Sequence, residues 1–218
     1  MAFSEGTIST LTSEPSVDTL KHLRLDSSVM RLGFVVFDGL TALDFVGMYD
    51  PLTRLGTMDI LDDISWEICA RQPQVTATGG LTMRVDAIDE PLDDYDILLV
   101  PGGSGNRPLL ADHAYIEWLR TAAAVPLKAS VCTGSLLYGA AGFLDGHRAT
   151  THPGSYDRLG TYCDDVVRER IVDDGDIVTA GGVASSIDLG LHLIERLTDM
   201  DTRNRIATQM DYPYKPSN

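Results

Sequence analysis

Short apolar runs of strand length alternate with helical stretches from Met30 to Leu197, and no other feature constrains the fold of this chain as tightly. Strand patterns fall at Leu32–Phe37, Trp66–Ala70, Ile97–Val100, Ala129–Val131, Val166–Val172 and Ile177–Thr179. Helical periodicity falls near Ala42–Leu55, Ala114–Ala124, Ser135–Ala141 and Ser186–Leu197. Such alternation predicts an α/β domain: a doubly wound, mostly parallel sheet with helices on both faces. A run apolar at every position, such as Ile97–Val100, is what a sheet covered on both sides requires. Gln74–Val85, with Gly79-Gly80 at its centre, reads as a small hairpin. The domain is expected to occupy residues 30–218. Residues 1–29 are rich in Ser and Thr and precede a second methionine, Met30, so a loosely ordered extension is expected there, with a partly helical arm over Val17–Leu23 as the alternative.

Length and charge bound the function. A chain of 218 residues buries about 70% of its unfolded surface and needs no disulfide or metal to hold a core. The three cysteines, Cys69, Cys132 and Cys163, are too scattered for a zinc site, which suits a reducing, cytoplasmic setting. With 17 Lys and Arg against 32 Asp and Glu, the net charge is −15, the opposite of a nucleic-acid surface. No apolar run approaches the roughly 20 residues that span a bilayer, and the N-terminus has no signal-peptide pattern. The acid is mostly Asp (25 against 7 Glu) and the base mostly Arg (14 against 3 Lys). This is either an ordinary solvated surface or an adaptation to high salt.

In parallel sheets, ligands gather beyond the carboxyl ends of strands. Four places there carry candidate chemistry: Phe37-Asp38-Gly39 leading to Asp44, Pro101-Gly102-Gly103, Cys132-Thr133-Gly134-Ser135, and Gly181-Gly182. Cys132 sits where a small apolar strand turns into a helix, the position of the serine in a nucleophile elbow. The helix N-terminus favours thiolate, so the Cys132 pKa is expected below the free value of about 8.5. A small buried hydrophobe is the alternative, and the strand-turn-helix context favours the reactive reading. Gly102 and Gly103 can turn backbone N–H groups towards an oxyanion, although by themselves they describe only a tight turn. Asp44 lies among apolar neighbours and is either a helix N-cap or a partly desolvated acid of raised pKa. His152 is the best placed of the five histidines to support the same site. His113 and His147 are expected to be exposed, and His192 with Glu195 has ordinary helical spacing.

Taken together, Phe37-Asp38-Gly39…Leu43-Asp44, Val100-Pro101-Gly102-Gly103, Ser130-Val131-Cys132-Thr133-Gly134-Ser135, Ala149-Thr150-Thr151-His152 and Thr179-Ala180-Gly181-Gly182…Ile187-Asp188 resemble the ThiJ/PfpI superfamily. The match runs in order from Met30 to Leu197. It implies the flavodoxin-like, class I glutamine amidotransferase-like fold with its cysteine at the elbow. Within the superfamily the pattern looks most like the isonitrile hydratases, which carry Asp in an L-D-x-x-G setting, as Leu43-Asp44-Phe45-Val46-Gly47 does, and read S-V-C-T-G-S, as residues 130–135 do. Pro153 and Met48 depart from the Trp and Pro common there, which bears on substrate preference.

The resemblance implies Cys132 as nucleophile and Asp44 as its acid/base partner, with Gly102, Gly103, Thr133, Gly181, Gly182 and His152 binding substrate or developing charge. It implies a small-molecule substrate, a homodimer, and neither cofactor nor metal. Thr133 follows the cysteine where related peptidases carry His, which argues against peptidase or glutamine amidotransferase chemistry. Two other functions resemble what such chains do. One is a sensor like the amidase-like domain of some transcription regulators, although about 20 residues after the Ile187–Leu197 stretch leave no room for a DNA-binding module. The other is a redox or glyoxal-stress protein acting through Cys132.

Overall fold

The computed structural model describes residues 29–213; the expected extension, apart from Val29, lies outside the described residues. Seven strands form the central sheet: β1 (Met30–Val35), β2 (Ile64–Ala70), β5 (Ala87–Ile88), β6 (Ile97–Val100), β7 (Leu127–Val131), β10 (Ile171–Asp174) and β11 (Ile177–Ala180). Their order is β10-β11-β7-β6-β1-β2-β5, and every pairing is parallel except β10 with β11. Strands β6, β7 and β11 are buried at every residue, as in a sheet covered on both faces, and β6 is apolar throughout. The hairpin expected around Gly79-Gly80 is the pair β3 (Gln74–Thr76) and β4 (Thr82–Arg84).

Helices α1 (Ala42–Thr57), α6 (Ser185–Leu197) and α7 (Met200–Gln209) pack on one another. Helix α4 (Gly134–Ala141) packs with α3 (His113–Arg120), which continues into a 3₁₀ turn over Thr121–Ala124. Phe34 of β1 meets Phe45 and Tyr49 of α1 at ring-centroid distances of 5.9 and 5.1 Å, which fixes how α1 seats on the sheet. A second contact fixes α1 against α6. There Ser186 donates to the Leu43 carbonyl at 3.1 Å, over the bare backbone of Gly47.

One expected strand is divided. Val166–Val172 is not continuous: β9 (Asp165–Val166) pairs with β8 (Arg148–Ala149), and only from Ile171 does the chain join the central sheet as β10. The charged run Arg168-Glu169-Arg170 lies between, and its carbonyls bind outside a ladder: Glu169 accepts from the Thr150 hydroxyl and Arg170 from the Gly181 N–H. Helix α7 and the one-turn helices α2 (Asn106–Leu109) and α5 (Tyr156–Leu159) were not expected, because four residues carry no readable period and α7 is mostly polar.

A Cβ on Gly47 would stand 2.0 Å from the Ser186 hydroxyl and 2.7 Å from its Cβ. Gly47→Ala is therefore expected to destabilise by about 1–3 kcal/mol and to lower Tm by about 3–10 °C in calorimetry. Adding Ser186→Gly should recover part of that loss.

Candidate active site

Strands β11, β7, β6 and β1 are neighbours in the sheet, so their carboxyl ends bring the four candidate segments together. At the end of β7, Cys132 adopts φ +56, a left-handed conformation that costs a non-glycine residue on the order of 1–3 kcal/mol. Its neighbours hold it there. The Cys132 N–H donates to the carbonyls of Ala180 (3.0 Å) and Gly181 (2.8 Å) at the end of β11. Its carbonyl accepts from the hydroxyls of Thr151 (2.9 Å) and Ser135 (3.3 Å). The thiol is thereby turned out of the sheet into a cavity of about 370 Å³, while the residue as a whole is 6% exposed.

Asp44 lies in the first turn of α1 and has no exposed surface. It caps nothing, since Thr41 occupies the N-cap position. One carboxyl oxygen, Oδ2, accepts from the Gly102 N–H at 3.1 Å, and the other, Oδ1, has no hydrogen-bond partner of ordinary geometry among the described residues. Burial pushes the Asp44 pKa from 3.8 up to about 6, against opposing contributions from the neighbouring Cys132 thiol and the Gly102 amide. Gly102 must lack a side chain here, because a Cβ would stand 2.5 Å from Thr133 N and 2.8 Å from the Cys132 Cβ.

Two expectations are corrected. Cys132 is not held as a thiolate. Burial and the Asp44 charge push its pKa up to about 12, outweighing the Thr133 amide and hydroxyl, which act on it in the opposite direction. The resting pair at neutral pH is thus thiol beside carboxylate. The loop amides are also not open to an oxyanion: Gly102 N–H is held by Asp44, and Gly103 N–H donates to the Thr133 hydroxyl at 3.1 Å. The glycine loop positions the acid and the elbow.

Gly103, Thr133 and His152 line the cavity, whereas Val183 lines it in place of Gly181 and Gly182. Gly181 acts through its carbonyl on the elbow, and Gly182 accepts a hydrogen bond from Ser185 at the start of α6. His152 is exposed, and its Nδ1 accepts from the Gly154 N–H at 3.1 Å, which leaves the ring proton on Nε2. His113 is exposed as expected, but His147 is only 25% exposed, between Asp174 and Asp176. His192 pairs with Asp173, and Glu195 with Arg203. The sequence reading passed over Thr41, Asn106, Arg107 and Arg158, which also line the cavity. Asn106 and Arg107 follow the glycine loop directly, a signal that was available, whereas nothing local marks Arg158. Among the described residues, no group of three His, Cys, Asp or Glu is placed to hold a metal.

The strain at the elbow is measurable. Cys132→Gly should be more stable than Cys132→Ala by about 1 kcal/mol in denaturant unfolding, the reverse of the usual order inside a helix or strand. Equal stabilities would remove the strain argument.

The family model described as the DJ-1/PfpI family matches residues 30–196. An isonitrile hydratase of Pseudomonas putida is 36% identical over 188 residues, covering 86% of this chain and 80% of that protein. The helix-turn-helix-type transcriptional regulator CdhR of Pseudomonas aeruginosa is 33% identical over 171 residues, spanning 74% of this chain but only 48% of the regulator. Among solved structures, a ThiJ/PfpI family protein from Pseudomonas syringae superposes with a TM-score of 0.77 at 27% identity, covering 88% of this chain and 78% of that one. Because the family model spans residues 30–196 and the Pseudomonas putida relative is 36% identical over most of both proteins, the chain belongs to the DJ-1/PfpI family.

Proposed function

We propose that this protein hydrates isonitriles to N-formamides, with Cys132 as nucleophile and Asp44 carrying the proton. The observation behind this reading is the buried acid–thiol pair. A carboxyl whose pKa is raised to about 6 can accept the thiol proton and give it up again near neutral pH. The similarity to the Pseudomonas putida isonitrile hydratase supports the same choice of substrate class.

An isonitrile, R–N≡C, has one carbon that takes both a nucleophile and a proton. In the first half-reaction the Asp44 carboxylate accepts the Cys132 S–H proton while sulfur bonds to that carbon. Asp44 then delivers the proton to the same carbon, leaving a thioimidate, R–N=CH–S–Cys132, and a carboxylate again. Water next adds across the C=N bond with Asp44 as base, so carbon gains the hydroxyl and nitrogen the proton. The C–S bond breaks, the hydroxyl proton returns to sulfur, and R–NH–CHO leaves. One water is consumed, and no oxidant or reductant enters. The protonated, largely enclosed thiol argues against peroxide sensing, which favours accessible thiolates.

A second reading, a ligand sensor, is supported by the match to CdhR and by weaker matches to further helix-turn-helix-type transcriptional regulators. Turnover distinguishes the two. Cys132→Ala should abolish formamide production from cyclohexyl isonitrile, and Asp44→Asn should lower kcat/KM by about 10²–10⁴-fold. Full activity in Cys132→Ala ends the hydratase reading.

The pH dependence follows from the same pair. Wild-type kcat/KM should rise through about pH 6 as Asp44 ionises, a limb absent from the residual activity of Asp44→Asn. Stability should run the other way. The folded carboxyl holds its proton to about pH 6 and the unfolded one only to about 4, so the Asp44 contribution is full below pH 4 and falls between 4 and 6. Urea titrations of wild type and Asp44→Asn across that window measure it.

A further inference from the structure

The cavity over Cys132 inverts the charge of the molecule. The chain carries 32 acidic against 17 basic residues, yet Arg107 and Arg158 line this cavity and no Asp or Glu does, Asp44 being fully buried beside Cys132. Elsewhere most described arginines pair with a carboxylate, as Arg31 with Glu67, Arg71 with Asp89 and Arg196 with Asp173. Arg84, Arg168 and Arg205 do not among the described residues, and those three do not line this cavity. Arg107 and Arg158 have no ion pair or side-chain hydrogen bond among the described residues. In so acidic a protein, two guanidiniums left without a carboxylate at one cavity mark a place where a carboxylate is supplied from outside.

Their backbones are tied to the reactive corner. Arg107 lies in α2, whose Asn106 is buried and donates through Nδ2 to the Thr133 carbonyl at 2.8 Å, one residue from the nucleophile. Arg158 lies in α5, anchored by the fully buried Leu159. A volume of about 370 Å³ is near the small end of ligand cavities, roughly 300–1,000 Å³, and suits a short molecule. Arginine binds planar carboxylates through two parallel N–H donors.

We infer that Arg107 and Arg158 are specificity-determining residues that select a substrate bearing a carboxylate at the end remote from the group attacked by Cys132. The inference rests on the hydratase reading for the reacting group, an isonitrile, and on the cavity alone for the charge. The preferred substrates are then short isocyano acids, with neutral alkyl isonitriles turned over about tenfold less efficiently.

Two measurements separate these parts. The first compares kcat/KM for isocyanoacetate and its ethyl ester in wild type, R107Q/R158Q and R107K/R158K. The carboxylate-to-ester ratio should fall about tenfold in the glutamine pair, as expected for two solvent-facing ion pairs, and recover in part in the lysine pair. The second needs no isonitrile. Cys132 is alkylated with iodoacetate or iodoacetamide and followed by peptide mass spectrometry, with Cys163 in the same molecule as control. The iodoacetate-to-iodoacetamide ratio at Cys132 should exceed that at Cys163 in wild type and drop several-fold in R107Q/R158Q. If neither isonitrile is consumed but this ratio still depends on the arginines, the anion selectivity stands and the hydratase reading falls. If R107Q/R158Q leaves both ratios unchanged, the inference is overturned whatever the turnover.

Discussion

A carboxyl group kept out of water governs the rest of this site. Asp44 has no exposed surface, and only one of its oxygens accepts a hydrogen bond of ordinary geometry. Its displacement from 3.8 to about 6 means that ionising it costs about 3 kcal/mol more than in water. Such a cost persists only if the surroundings prevent the group from reaching solvent. Helix α1 meets that demand by docking twice, through the Phe34–Phe45–Tyr49 rings on the sheet and through Gly47 on α6. The Gly102 amide, 58 residues away in the chain, then holds the acid beside the elbow of a different strand.

The elbow itself is a strained point held from both sides. Cys132 sits at φ +56 because β11 accepts its N–H while Thr151 and Ser135 donate to its carbonyl. A sulfur aimed this way presents itself to the cavity with little freedom to turn aside, which reduces the entropy to be lost in reaching a reacting carbon. The pair stores its reactivity in an unusual place. The proton resides on sulfur and the charge on carboxylate, so nucleophile and proton donor form together as the thiol is deprotonated. That suits a substrate whose single carbon must receive both.

Electrostatics at two scales oppose each other here. The acidic exterior sets a negative field over the molecule, whereas the mouth of the site carries guanidinium groups without acid partners among the described residues. Such reversals need closely spaced charges, since at physiological salt the field of a surface residue fades over about 8 Å. The helix dipole behind Cys132 belongs to the same local balance. The Thr133 amide and hydroxyl at that helix N-terminus favour the thiolate, but burial and the Asp44 charge outweigh them.

Much of this was legible in the amino-acid order, because strand-length apolar runs and helical periods are properties of neighbouring residues. Ile97–Val100 is a strand in both readings, and Cys132 was identifiable as a corner residue from the apolar run before it and the glycine after it. Asp44 was conspicuous as an acid among apolar residues. Other features depended on who meets whom across the sheet. The protonation of Cys132 reverses once Asp44 from α1 and the depth of burial are included, and neither is written near residue 132. The amides of Gly102 and Gly103 looked open until their acceptors arrived from Asp44 and Thr133. The break in Val166–Val172 followed from where Thr150 and Gly181 place their donors. Local order determined which segments are strands and helices and where the chain turns between them. Solvation and charge, which decide what the turns can do chemically, act through space between segments distant in sequence, so only the folded arrangement could set them.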